Sequence, residues 1–267
     1  MNAATDSCAS GLPGTGRRLF LRQAAGAAAL WCAAGEVAGQ VAQDLPTIYP
    51  SAPGPADTVY LSFGPEEADC VEAMVEHMCP RDELTPGGVD CGLAVFIDRE
   101  LAGAYGHGDR LYLRGPFRPG LPEDGYQLSM TPAQYFKSGC RALDQNCQRR
   151  LGAVFARLDA NAKESCLLEI STNRWDETGE FSLGAWFNEL FYPLFTQACF
   201  SDPVYGGNRD KVFWRLLGYP GLPATYGRDM VTYRGRPHPA AHTPRSMQDF
   251  AVAHRQGGTA QRHAAVT

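Results

Sequence analysis

A chain of 267 residues that is 44% apolar is long enough for one large domain or two small ones around a hydrophobic core. A formal charge of −5, with 24 basic residues scattered along the sequence, excludes the basic patch that nucleic-acid binding requires. Nine cysteines are many for a reducing compartment and point to an oxidising one.

Gly16-Arg17-Arg18-Leu19-Phe20-Leu21-Arg22 is a twin-arginine pattern, with Arg17, Arg18, Phe20 and Leu21 as its signal residues. A short alanine-rich run through Trp31 follows. A spanning helix needs about 20 strongly apolar residues, so residues 1–43 read as an export signal with cleavage after Gly35 or Gly39. Its removal takes away three arginines and two acids, a net +1, and leaves −6. Seven cysteines then remain, an odd number, so at least one is free or pairs with another chain. Two or three bridges are expected among them, with their connectivity open. Cys140 and Cys147 lie seven apart in a predicted helix, about 10.5 Å of rise, which is too far for a bridge between them.

Residues 44–58 carry Pro46, Pro50, Pro53 and Pro55 and read as an extended linker. Gly64-Pro65-Glu66-Glu67 starts a helix with proline in its first turn and acids beside the positive end of the dipole. Ala68, Val71, Met74, Val75 and Met78 form its buried face, and Pro80 closes it. Arg81 to Asp90 is a loop in which Asp82 and Glu83 read as a solvated turn. A second helix is predicted over 92–102, with Leu93, Phe96, Ile97 and Leu101 on one face. Residues 105–125 read as a long loop, whose length favours binding over idle connection. It carries His107, a surface residue without a ligand partner, and the exposed Arg114, Phe117 and Arg118.

Thr131 caps a third helix with Pro132 at its first position, running to Arg149. Asp159 caps a fourth through Ile170. Ser182 caps a fifth over 183–199, with a kink at Pro193. Few windows alternate with period two. The expected fold is therefore mainly α, a single irregular helical domain over 59–227 with long loops and little or no sheet. Residues 228–267 read as a tail that is disordered unless a partner orders it. In it His238 and His242 stand four apart, but Pro239 opposes the helix that would let them share a metal.

No sequence motif supports chemistry in this chain. A dinucleotide-binding glycine motif, a nucleophile elbow, a zinc-protease motif and a phosphate-binding lysine loop are all absent. There is no Cys-x-x-Cys-His for covalent haem. No catalytic, cofactor-binding or metal-ligating residue is assigned. The distinctive stretch is Ser201 to Asp210, a polar turn between the aromatic runs Trp186–Phe195 and Val212–Tyr219. Gly206-Gly207 permits backbone angles closed to other residues, and Asp202 before Pro203 initiates a turn.

Several of these stretches resemble one family. They are Gly64-Pro65-Glu66-Glu67, His77 to Glu83 with Pro86-Gly87-Gly88-Val89 after it, Gly92 to Asp98, Arg114-Gly115-Pro116 and Gly125-Tyr126-Gln127-Leu128. Most specific are Phe200 to Arg209 and Leu217-Gly218-Tyr219-Pro220-Gly221. With the twin-arginine leader they are similar to the small subunit (subunit 3) of gluconate 2-dehydrogenase, over roughly residues 60–226. The resemblance implies a periplasm-facing, membrane-associated complex that oxidises a sugar or sugar acid. In it an FAD-containing GMC-type large subunit performs the oxidation and a multihaem cytochrome c subunit accepts the electrons. The small subunit has no cofactor of its own. Its implied work is to bind the flavoprotein and carry it through the twin-arginine translocase.

On that reading Asp202, Tyr205, Gly206, Gly207 and Asn208 form the partner-binding loop. Trp186, Phe187, Phe213 and Trp214 support it, as core or as contact surface. The bland alternative is that Asp202 and Asn208 only satisfy backbone donors within the loop. A second function class is a stand-alone periplasmic enzyme using a loop carboxylate, Asp82, Glu83 or Asp202.

Overall fold

The computed structural model describes residues 59–249, apart from 110, 119, 122–124, 176–180 and 223–224. The expected leader (1–43), linker (44–58) and the end of the tail (250–267) lie outside the described residues. All described residues belong to one compact unit, Ser51–Thr267. The fold is helical as expected. Among the described residues there is no strand, only an isolated bridge between Gly221 and Arg245.

Helix α1 (Pro65–Met78) begins where the proline and acids place it. Glu67 reaches back to accept the Gly64 N–H at 2.9 Å, one of the orphan donors at a helix start. Helix α2 (Leu93–Ala102) buries every residue from Leu93 to Asp98. Asp98 is a buried carboxylate with full employment for its oxygens. It accepts the backbone N–H groups of Leu61, Ser62 and Phe63 at 2.6, 2.8 and 2.8 Å. The segment entering α1 is thereby fastened to α2.

The expected 105–125 loop starts instead with a short helix, α3 (Ala104–His107), closed by Gly108 at φ 76°. A single helical turn carries too little periodicity to be read from sequence. Helix α4 (Pro132–Leu151) has the predicted start: Thr131 Oγ1 accepts the Gln134 N–H and Gln134 Oε1 accepts the Thr131 N–H. A 3₁₀ turn, Phe155–Arg157, leads to α5 (Ala160–Ser171), capped by Asp159. Ser182 caps α6 (Leu183–Trp186).

The fifth predicted helix is not simply kinked at Pro193. After α6 the chain widens into one π turn, Phe187–Phe191, and resumes as α7 (Tyr192–Phe200). The Tyr192 N–H bonds the Phe187 carbonyl, five residues back. Pro193 has no N–H to give, and its ring would crowd the carbonyl four residues earlier in a tight helix. A π turn takes up that misfit within a continuous helix axis. Helices α8 (Val212–Leu217) and α9 (Gly227–Thr232) are the last among the described residues.

The core forms around α4, which touches α1, α2, α3, α6 and the π turn. Phe136 is its aromatic centre, with ring centroids 5.7 Å from Phe63, 5.8 Å from Trp186 and 5.9 Å from Phe191. Gly139 makes room for Trp186: a Cβ there would stand 2.1 Å from the indole ring. The seven cysteines from Cys70 to Cys199 are all buried, and none of the two or three expected bridges is closed in this structure. Among the described residues no helix is long and apolar enough to cross a membrane.

Candidate partner-binding surface

The Ser201–Asp210 stretch folds as a tight double turn with a 3₁₀ turn at Pro203–Tyr205 and another at Arg209–Lys211. Its backbone is unusual. Gly206 stands at φ 108°, and three non-glycine residues are also left-handed: Asn208 at 46°, Asp210 at 56° and Lys211 at 58°. Side chains rarely adopt that region, asparagine and aspartate most readily. Gly207 is required by proximity, because a Cβ there would lie 2.4 Å from the Ala198 carbonyl of α7. The Arg209 N–H donates to the Cys91 carbonyl at 3.0 Å, joining the turn to the start of α2.

Asn208 holds the turn together. It is 0% exposed. Its Nδ2 donates to the Ser201 carbonyl and its Oδ1 accepts the Phe213 N–H, both at 3.0 Å. Asp202 bonds within the turn and beyond it: Oδ1 accepts the Val204 N–H at 3.0 Å and Oδ2 accepts the Met247 N–H at 2.7 Å. Of the five loop residues named from sequence, Gly206, Gly207 and Asn208 are buried and Asp202 is half-buried, while Tyr205 is 50% exposed. Trp186, Phe187, Phe213 and Trp214 are all buried, so they are core. The Trp214 Nε1–H donates to the Phe200 carbonyl at 2.8 Å, bracing the turn from behind.

Sequence reasoning missed the partner of Asp202. The stretch expected as a disordered tail contains α9 and a segment folded back on the turn. Leu222 N–H bonds the Arg245 carbonyl at 2.7 Å, and Arg245 N–H bonds the Pro220 carbonyl at 3.0 Å. Lys211 Nζ meets Asp249 at 2.8 Å. Burial pushes the Asp249 carboxyl up, but the Lys211 ammonium and the Ser246 N–H outweigh it and hold the group below its ordinary value. The signal that could have shown this docking is the pair of acids, Asp202 and Asp249, each placed to accept backbone donors.

Around the turn, large apolar side chains face outward: Phe200, Val204, Tyr205, Leu217, Tyr219 and Met247. They stand on elements joined by the Asp202–Met247 bond and by the Trp214–Tyr219 ring contact, 5.1 Å between centroids. Exposed apolar side chains on connected elements are what a protein–protein contact uses.

The other sequence candidates lie elsewhere. Asp82 Oδ1 accepts the Leu84 and Thr85 N–H groups at 2.8 Å, closing its own turn, and Glu83 is exposed beside it. His107 is exposed at the end of α3. His238 faces Asp229 at 3.3 Å and packs on Tyr233, apart from any shared site with His242. Among the described residues no three His, Cys, Asp or Glu side chains are grouped as metal ligands.

The profile of the gluconate 2-dehydrogenase subunit 3 family matches residues 65–221, more than half of the 267. The chain belongs to that family. No curated protein and no solved structure matches it. The subunit 3 match starts at the first residue of α1 and ends at Gly221, the bridge partner of Arg245. The whole double turn lies inside the subunit 3 region, and the segment that docks on it lies outside.

Proposed function

We propose that this gluconate 2-dehydrogenase subunit is the non-catalytic small subunit of a periplasm-facing FAD and cytochrome c dehydrogenase complex acting on a sugar or sugar acid. It binds the flavoprotein subunit and supplies the twin-arginine signal by which the pair is exported. The observation that carries this reading is the family match over the folded region, with a twin-arginine pattern at Arg17-Arg18 ahead of it. The exposed apolar side chains around Val204 and Tyr205 support a protein partner. Twin-arginine export suits a flavoprotein that is loaded with FAD and folded before transport.

The test is co-expression of the full chain with the flavoprotein subunit, with Arg17-Arg18 intact or changed to Lys-Lys. Periplasmic FAD-dependent dye reduction is read out. Activity is expected only with the arginine pair. Export of active flavoprotein in the absence of this chain overturns the reading.

A further inference from the structure

The buried thiols are sorted into couples by the fold. Cys147 on α4 and Cys166 on α5 have their Sγ atoms 3.7 Å apart. Cys70 on α1 and Cys140 on α4 are both buried where those two helices meet, and the Cys140 thiol, more than any other cause, raises the Cys70 thiol. Cys79, just after α1, and Cys91, just before α2, share one acceptor. The Pro86 carbonyl is 3.9 Å from Cys79 Sγ and 3.5 Å from Cys91 Sγ. Backbone bonds from Gly88 to Cys79 and from Cys91 to Gly87, at 2.7 and 2.9 Å, hold that loop closed. Cys140 and Cys147 share α4 yet each faces a different partner. Cys199 is the seventh and is left over.

We propose that Cys70–Cys140, Cys79–Cys91 and Cys147–Cys166 are the three disulfides of the mature chain, and that Cys199 stays a thiol. The bonded S–S distance is about 2.05 Å, so rotation about the side-chain bonds has little distance to cover at Cys147–Cys166. The three links fasten α1 to α4, α4 to α5, and the two ends of the 79–91 loop. Each closure follows ordinary exchange. One thiolate attacks a disulfide-bearing oxidant and displaces one of its sulfurs as a thiol. The second thiolate then attacks the mixed disulfide and releases the other. Two cysteine thiols give up two protons and two electrons, and the oxidant's disulfide becomes two thiols.

Cys199 on α7 is the odd member of the buried set of seven, so pairing the other six leaves it without a disulfide partner in the chain. Each thiol of the Cys79–Cys91 couple acts on the other: Cys91 holds the Cys79 thiol down, and Cys79 pushes the Cys91 thiol up. The connectivity does not depend on the dehydrogenase reading, whose failure would leave these links unchanged.

The experiment uses the full chain with Cys8→Ser and Cys32→Ser, both in the stretch read as leader. Reduced, denatured protein is folded in a mixture of glutathione and glutathione disulfide, then alkylated and mapped by non-reducing peptide mass spectrometry. The expected result is three linked peptide pairs as named, a mass loss of about 6 Da from six hydrogens, and alkylation at Cys199 alone. Natively purified, reduced chain treated with diamide is expected to give the same links, and this arm needs no refolding. In the Cys147→Ala/Cys166→Ala variant the other two links persist. A dominant link through Cys199, a Cys70–Cys147 link, or couples recovered as alkylated thiols after oxidation overturns the proposal.

Discussion

Asn208 and Tyr205 sit three residues apart in one turn and do opposite work. Asn208 is fully enclosed and joins the Ser201 carbonyl to the Phe213 N–H through its two amide atoms. Truncation to alanine leaves a buried acceptor and a buried donor without partners, at about 1–3 kcal/mol each, and puts a methyl-bearing residue at a left-handed φ. Asn208→Ala is therefore expected to destabilise the protein by about 3 kcal/mol in denaturant melts. Asn208→Gly loses the same bonds but tolerates the φ of 46°, so it is expected to cost about 1 kcal/mol less. Tyr205→Ala, at an exposed position, is expected to leave the melting temperature unchanged and to weaken capture of the flavoprotein subunit. If Asn208→Ala melted like the parent chain, the turn would not be braced as described. If Tyr205→Ala retained full capture, this face would not be the contact.

Between elements, Asp144 ties α4 to the 3₁₀ turn that follows it. Its Oδ1 accepts the Phe155 N–H at 2.9 Å, and Phe155 plugs the core at full burial. Burial, chiefly, and the charges of Glu66 and Asp69 raise the carboxyl above its ordinary value, although the Phe155 N–H pulls it down. The sign follows from linkage: the native state holds the proton at a pH where the unfolded chain has released it. The associated stability is fully present below the ordinary carboxyl value of about 3.9 and is lost as pH rises through the raised native value. Asp144→Asn keeps an oxygen for Phe155 and carries no charge at any pH. Its melting temperature is expected to gain on the parent chain as pH rises from about 4 to 7. Solvent reaches this half-buried group, so the gain is modest. A difference between variant and parent that stays constant with pH would remove Asp144 as the cause.

At the scale of the whole molecule, the sequence showed the features set by near neighbours. Thr131-Pro132, Asp159 and Ser182 mark helix starts because a cap bonds an amide only two or three residues on. The π turn at Phe187 was not legible, since the proline's effect there depends on keeping Trp186 and Phe191 packed on Phe136. The glycine pair marked a turn in the sequence, and the backbone there is left-handed at Gly206 and Asn208. Whether they face a partner or the interior depends on Ala198 and Phe213, contacts that only the fold supplies. The segment through Asp249 reads as polar and proline-rich, and its order comes from bonds to residues 23 to 45 positions earlier. Asp202 is the hinge of that docking, because its two oxygens serve the turn and the returning segment at once. Asp202→Ala should release the segment without unfolding the core, since local opening follows the bonds that close each region. In hydrogen exchange, the amides of Leu222, Arg245 and Met247 are expected to lose about tenfold in protection, the equivalent of roughly 1.4 kcal/mol. The amides of α1 and α4 should exchange as in the parent chain. Equal loss in α1 and α4 would mean that the returning segment opens only with the whole fold, and that Asp202 contributes to global rather than local stability.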